Sequence, residues 1–198
     1  MLKITRIIRS AFVMIALVLA LTTSSLSCRQ KSSRTPFLNR IAETSVRVAD
    51  SVTWLYDAKY YTIAYPNGDV PDGGACTDVV IRVLRMNGID LQQEVHEDML
   101  ENFDAYPEMW GLSKPDPNID HRRVPNLMTY FKRKGYEVTD GEFKPGDMVC
   151  WNINGGINHI GIYLKDETVF HNMGPDSRVE EGFLHRYPII GHYRISTP

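Results

Sequence analysis

Cysteine is scarce in this chain of 198 residues: there are three, Cys28, Cys76 and Cys150. No Cys-x-x-Cys pair and no His-x-x-x-His pair occurs. That removes the close ligand pairs on which most zinc sites are built, and no cofactor is expected. A strong charge of either sign is also missing. The formal net charge is −2, and without a basic excess nucleic acid is not an expected partner. Long apolar runs are lacking too. Ala11 to Leu21 is an uncharged apolar stretch of eleven residues, too short to span a bilayer comfortably. Neither an internal repeat nor a low-complexity segment is present.

What the N-terminus does have is the pattern of an export signal. Lys3, Arg6 and Arg9 precede the apolar stretch, and Thr22-Thr23-Ser24-Ser25-Leu26-Ser27 leads into Cys28. Small residues before a cysteine match a bacterial lipoprotein cleavage site, although the leucine usual three places before the cysteine is here Ser25, with Leu26 one step later. The reading is a signal peptide over 1–27, lipidation at Cys28 and a tether over 28–35. A single domain follows over 36–198, monomeric and held to a membrane in the bacterial cell envelope as a periplasmic or outer-membrane lipoprotein. Ordinary cleavage nearby and an uncleaved anchor are the alternatives. Cleavage before Cys28 removes three basic residues and lowers the net charge from −2 to −5.

Along the rest of the chain helical patterns come first and strand patterns later, which predicts an α+β fold. Leu38, Ile41, Ser45, Val48, Val52 and Leu55 step by three and four and predict a helix ending near Asp57. Further helices are predicted over Thr77–Met86, Leu91–Phe103 and Asn126–Lys134. Strands are predicted at Met148–Asn152, Ile160–Leu164, Val169–Asn172 and His192–Ile195, set apart by Gly, Asn and Asp turns. An antiparallel sheet of about five strands is expected. His96, His185 and His192 show no partner pattern and read as surface or packing residues.

Cys76 stands in Gly73-Gly74-Ala75-Cys76-Thr77-Asp78, at the start of a strongly apolar helix. A thiol at ~8.5 is mostly protonated at neutral pH; a helix dipole and a nearby imidazolium both lower that value. Helix-start N–H groups can also stabilise an oxyanion. His159 follows the flexible Asn154-Gly155-Gly156, and His171 comes twelve residues after it. That spacing fits a hairpin in which the two lie roughly opposite. One can then act as base and the other as the group that orients it, with Asn172 as the rival orienter. The plainer reading of Cys76 is a disulfide with Cys150, and of Cys150 a small buried apolar side chain.

Lys144-Pro145-Gly146-Asp147-Met148-Val149, then His159-Ile160-Gly161-Ile162-Tyr163, then His171, resembles the NlpC-type, papain-like cysteine peptidases and amidases of the cell wall. The resemblance covers the core of about residues 60 to 195. It implies Cys76 as nucleophile, His159 as base and His171 as orienter, with the cysteine's helix packed on the sheet. It also implies an upstream tyrosine at the oxyanion site, for which Tyr65 is the candidate and Tyr60 and Tyr61 are competitors. The family's cysteine segment reads Asp-Cys-Ser-Gly, whereas this one is Ala75-Cys76-Thr77-Asp78. The stretch from Asp90 to Asn126 is not a standard part of that family, so the pattern looks like a poorly characterised bacterial branch. The implied activity is amide hydrolysis in peptidoglycan peptides through a thioester.

Asp78 is either a substrate contact or a buried acid paired with Arg122 or Arg123. Those arginines in turn either bind a substrate carboxylate or hold the 90–126 insert by salt bridges. Three rival readings stand beside the hydrolase. Cys76, His159 and His171 can be zinc ligands. The domain can be a non-catalytic envelope-binding lipoprotein, with the aromatic region around Tyr106 and Trp110 as its surface. A thioesterase or acyltransferase would use the same thiol and imidazole.

Overall fold

The structure, a computed structural model, describes residues 36–196. The expected signal peptide over 1–27, Cys28 and the expected tether over 28–35 lie outside the described residues. Leu38–Ser196 form one compact unit. Among the described residues no helix is long and apolar enough to cross a membrane.

The first helix, α1, runs through residues 36–51. It buries Leu38, Ile41, Ala42, Ser45 and Val48, the face its spacing predicts. It stops six residues before the predicted end, Asp57. Ser51, Val52 and Thr53 are poor helix formers, and the chain beyond them is drawn into extended pairing, Leu55 with Asp176 and Tyr56 with Gly74. Helix α2 spans Cys76–Met86, and its first nine residues are all buried. Helix α3 is Leu91–Asn102, capped by the Asp90 carboxylate, which accepts from the Gln92 N–H. Short 3-10 turns at Phe103–Ala105 and Asp120–Arg122 lead through the irregular stretch to α4, Val124–Arg133.

Five antiparallel strands follow: β1 Met148–Ile153, β2 Ile157–Lys165, β3 Thr168–Asn172, β4 Ser177–Glu180 and β5 Ile189–Tyr193. Their order in the sheet is β4-β3-β2-β1-β5. The fold is therefore α+β, with α2 packed on β2 and β3. The strand at Ser177–Glu180 carries no strand pattern in the sequence, being only four residues long with two charges. The last strand begins three residues before the predicted start at His192, because Trp151 pairs with Ile189 across a bulge in β1. One face of the sheet is closed by Val149, Trp151, Ile153, Val169, Phe183 and Leu184.

The Pro-Gly-Asp turn into β1 has a structural use. Asp147 is fully buried, and its carboxylate accepts from His192 Nε2 at 2.7 Å and from Arg194 Nε and Nη2 at 2.8 and 2.7 Å. Phe143 stacks on the His192 ring at 4.2 Å. His192 is thus a partnered core residue. His96 is also buried with a carboxylate partner, Asp120, 3.1 Å from its Nδ1. Only His185, of the three histidines that read as unpartnered, is exposed.

Candidate active site

The helix-start cysteine owes its position to Gly74 and Asp78. Gly74 sits at φ +145°, and a Cβ there would come within 2.7 Å of the Asp78 Cβ. The absence of a side chain lets Asp78 fold back over the entering chain, where its carboxylate accepts from the Ala75 N–H at 2.6 Å. This closes the first turn of α2 at its dipole-positive end. Asn172 fixes the same approach from the sheet: its Nδ2 donates to the carbonyls of Trp54 and Gly74 at 3.1 and 2.9 Å. With both amide hydrogens directed at backbone, Asn172 braces the loop before Cys76.

Cys76 and Cys150 are free thiols and both are buried. The backbone N–H of Ile160 faces the Cys76 thiol, and Asn158 lines the cavity that Cys76 lines. The thiol therefore lies against the segment of β2 whose central residue is His159. No hydrogen bond joins the Cys76 thiol to His159 among the described residues. Burial pushes the thiol up to about 11, against the lowering pull of the N–H groups of Ile160, Thr77 and Cys76 itself, and Asp78 adds to the rise. The direction is opposite to the one a helix dipole alone predicts, because desolvation outweighs it. Burial raises Cys150 as well, with a contribution from Cys76.

His159 and His171 are brought together. His159 Nε2 lies 2.8 Å from His171 Nδ1, with the rings nearly perpendicular at 73°. They are diagonal neighbours rather than opposite, since His171 pairs with Gly161. A Cβ on Gly161 would stand 3.0 Å from the His171 Cβ and 2.7 Å from Val169 Cγ1, so glycine at 161 gives the second imidazole its room. Phe183 covers the pair, its ring centroid 4.1 Å from that of His171.

A fourth group completes the row. His171 Nε2 lies 3.2 Å from Glu180 Oε2. Glu180 also takes a hydrogen bond from Arg178 Nε at 3.1 Å and is paired with Arg186. Although burial acts upward on Glu180, the bonds from Arg186 and His171 hold it below the usual carboxylate range. Burial drives His159 down to about 3, with His171 and Arg178 adding to the fall. Burial also drives His171 down to about 4, against the lifting pull of Glu180. Both rings are neutral at pH 7. Tautomers then follow from donor and acceptor counting. An ionised Glu180 only accepts, so His171 Nε2 carries its hydrogen and His171 Nδ1 is an acceptor. His159 Nε2 must carry the hydrogen between the rings. The lone pair of His159 is left on Nδ1. Glu180 was beyond the reach of sequence reasoning because its strand was.

Asp78 and Arg122 form a bidentate pair, Nε to Oδ1 at 2.8 Å and Nη2 to Oδ2 at 3.0 Å, with side-chain exposures of 4% and 2%. Arg122 also donates to the Lys59 carbonyl at 2.7 Å. Arg122 and Arg123 both line the cavity beside Cys76. Tyr65 stands elsewhere, edge-on to the His96 ring at 5.2 Å. The tyrosines that line the cavity are Tyr56 and Tyr60. Tyr56 is close enough to feel the thiol: burial first, then Cys76 and Asp78, raise its hydroxyl. Tyr61 donates to Asp57 at 2.7 Å.

The cavity measures about 470 Å³, with Met109 and Trp110 from the 90–126 stretch forming part of its wall. Two larger clefts, about 690 and 880 Å³, are lined by neither cysteine nor histidine. Among the described residues no three His, Cys, Asp or Glu side chains are arranged to hold a metal ion. His159 Nε2 is directed at His171 and not toward a point the two rings share with Cys76.

Fold and site together define an α+β protein with a helix-start cysteine whose thiol faces β2, and a His–His–Glu row carried by β2, β3 and β4. A family described as "Domain of unknown function (DUF1287)" matches residues 42–195, and the chain belongs to it. The uncharacterized protein YijF of Escherichia coli (strain K12) is 40% identical over 205 residues, covering 94% of this chain and 98% of that protein. Among solved structures the chain is similar to NlpC1 from Trichomonas vaginalis at 14% identity, over 81% of this chain and 45% of that one, with a TM-score of 0.48. It is similar also to an NLP/P60-family protein from Staphylococcus aureus subsp. aureus Mu50 at 15% identity, over 82% and 42%, with a TM-score of 0.41. The chain spans less than half the length of each of these two solved chains.

Proposed function

We propose that the protein is an exported cysteine hydrolase that cleaves an amide bond in peptidoglycan peptides, held at the cell envelope by a lipid on Cys28. The observation that carries the reading is the row from Glu180 through His171 to His159, with bonds of 3.2 and 2.8 Å, ending on the strand whose Ile160 N–H faces a helix-start thiol. A row of this kind fixes one imidazole lone pair, and fixed lone pairs are what general-base catalysis uses.

In the proposed reaction the Cys76 Sγ attacks the amide carbonyl as its proton passes to His159 Nδ1. Catalytic contacts are often loose in a free enzyme and tighten with substrate. The sulfur–carbon bond forms and the oxyanion is met by the Cys76 N–H and the Tyr56 hydroxyl. The carbon–nitrogen bond then breaks as His159 returns the proton to the leaving amine. Water, deprotonated by His159, attacks the thioester, releasing a carboxylate and the free thiol. His171 and Glu180 keep His159 in the required tautomer throughout.

The test is digestion of purified peptidoglycan fragments by the wild-type chain and by Cys76→Ala. New amine and carboxylate termini are expected from the wild type alone, and equal products from both sink the proposal. The raised thiol supports a second reading, an envelope-binding module that keeps the site without turnover. Binding of the same fragments with no cleavage by the wild type would select it.

A further inference from the structure

Two consecutive arginines at the end of the turn Asp120–Arg122 both line the cavity that holds Cys76, and they differ in their partners. Arg122 is consumed by Asp78 and the Lys59 carbonyl. Arg123, with an extended backbone at φ −111° and ψ 116°, sends its guanidinium to the cavity that holds Cys76. There it makes no hydrogen bond or ion pair with any described residue. One terminal nitrogen, Nη1, is fully buried without a partner. Asp120 and Asp116 act on it only across a distance, and burial pulls its proton affinity down. Asp120 Oδ2 is taken by His96 and by the Asp116 N–H, and its Oδ1 is buried without a hydrogen bond, to Arg123 or to any other described residue.

A guanidinium is a fork of five donors matched to a carboxylate. A guanidinium left without hydrogen-bond partners at a cavity wall favours an acceptor that enters the cavity. Trp110 covers the group, its ring 4.1 Å from the Arg123 Cζ. Trp110 itself is 49% exposed and sits at φ 66°, a region that bulky residues seldom occupy. Strain of that kind is kept where surroundings or function require it. Stacked under an indole, the guanidinium keeps its in-plane donors free for a ligand, because the ring uses only its face.

We propose that Arg123, roofed by Trp110, is a subsite for a free carboxylate on the substrate of the Cys76 site. The preferred substrate is then an acidic peptide whose carboxylate stands within the cavity's span of the amide under attack. The proposal rests on the amidase reading for the identity of that amide, but not for the binding itself.

Binding can therefore be measured without turnover, in the full chain carrying Cys76→Ala. The probes are a tetrapeptide with one free side-chain carboxylate and the same peptide with that group converted to a carboxamide. The carboxylate form is expected to bind about 10- to 100-fold more tightly, as expected for a charged, bidentate contact. Arg123→Gln should bring the two probes within about twofold, while Arg123→Lys keeps part of the preference as a point charge. Circular dichroism identical to the parent protects the result from misfolding. An unchanged preference in Arg123→Gln overturns the subsite, and so does failure of both probes to bind at millimolar concentration. A clear preference together with an uncleaved probe in the Cys76-intact protein upholds the subsite and overturns the hydrolase.

Discussion

Glu180 Oε2 stands 3.2 Å from His171 Nε2. That one contact decides where the lone pair of His159 lies, two residues away through the row. Replacing the carboxylate by an amide removes the decision, since an amide offers both donor and acceptor. Glu180→Gln should therefore lower kcat/KM on peptide substrate by roughly tenfold to a hundredfold, the scale on which outer-shell partners of histidine act. KM should change little. The direct check is the nitrogen chemical shifts of the His159 ring. A single Nε2–H tautomer is expected in the wild type and a mixture in Glu180→Gln. A single unchanged tautomer in the variant refutes the role of Glu180.

The thiol gives a second expectation. With Cys76 pushed up to about 11 by burial, its thiolate fraction rises tenfold per pH unit across the neutral range. Alkylation of Cys76 by iodoacetamide in the free protein should climb steadily from pH 6 to 9 without a plateau. It should be slower than a small thiol, which titrates near ~8.5. A peptide aldehyde, which binds the sulfur covalently, should react much faster than this fraction allows if His159 takes the proton in the same step. A plateau near neutral pH would mean that a thiolate–imidazolium pair is already formed.

Much of this arrangement was legible in the chain. The Gly73-Gly74 turn before an apolar helix marked Cys76, and the twelve-residue spacing from His159 to His171 marked the pair. Both signals are local or span one hairpin. What was hidden depends on residues brought from afar. Glu180 lies on a four-residue strand too short and too charged to show alternation. Tyr56 reaches the cavity where its backbone bridges to Gly74, a long-range pairing with no local sequence signal, whereas Tyr65 packs on His96. The early end of α1 has the same cause, a tertiary pairing that overrides a helical pattern. The neighbours Arg122 and Arg123 were indistinguishable by type, and only the position of Asp78 separates them. Desolvation was equally invisible, since it depends on what covers a group.

Burial of neutral histidines also sets how the protein responds to acid. His121, His159 and His171 are driven to about 3, 3 and 4, burial being the first cause for each. In the unfolded chain they return to about 6.5. Folded values below unfolded ones mean stability that is complete above about pH 6.5 and lost as pH falls toward 4 and 3. Each such histidine contributes a slope of about 1.4 kcal/mol per pH unit once the unfolded form is protonated. The Tm should fall between pH 7 and 4.5, and His171→Gln should fall less steeply than the wild type. Equal slopes would mean that His171 is not kept neutral by the fold.

The buried pair of Asp78 and Arg122 supplies the last expectation. Asp78 serves two masters: it closes the first turn of α2 through the Ala75 N–H and neutralises Arg122. Asp78→Asn preserves the shape but leaves a guanidinium buried without its counter-charge, a loss of about 3–5 kcal/mol when one partner of such a pair is removed. Arg122→Met strands the carboxylate in the same way. The double variant Asp78→Asn, Arg122→Met removes both charges and should recover part of the loss, because neither desolvation cost is then paid. Urea unfolding of the four proteins gives the coupling energy directly. Additive losses would mean that the two side chains act independently. Cys76 provides a local readout of the same cycle: its alkylation rate should rise in Asp78→Asn, since Asp78 is one of the charges that raise the thiol. The double variant should keep that faster rate while regaining stability, which separates the electrostatic effect on the thiol from loosening of the helix that carries it.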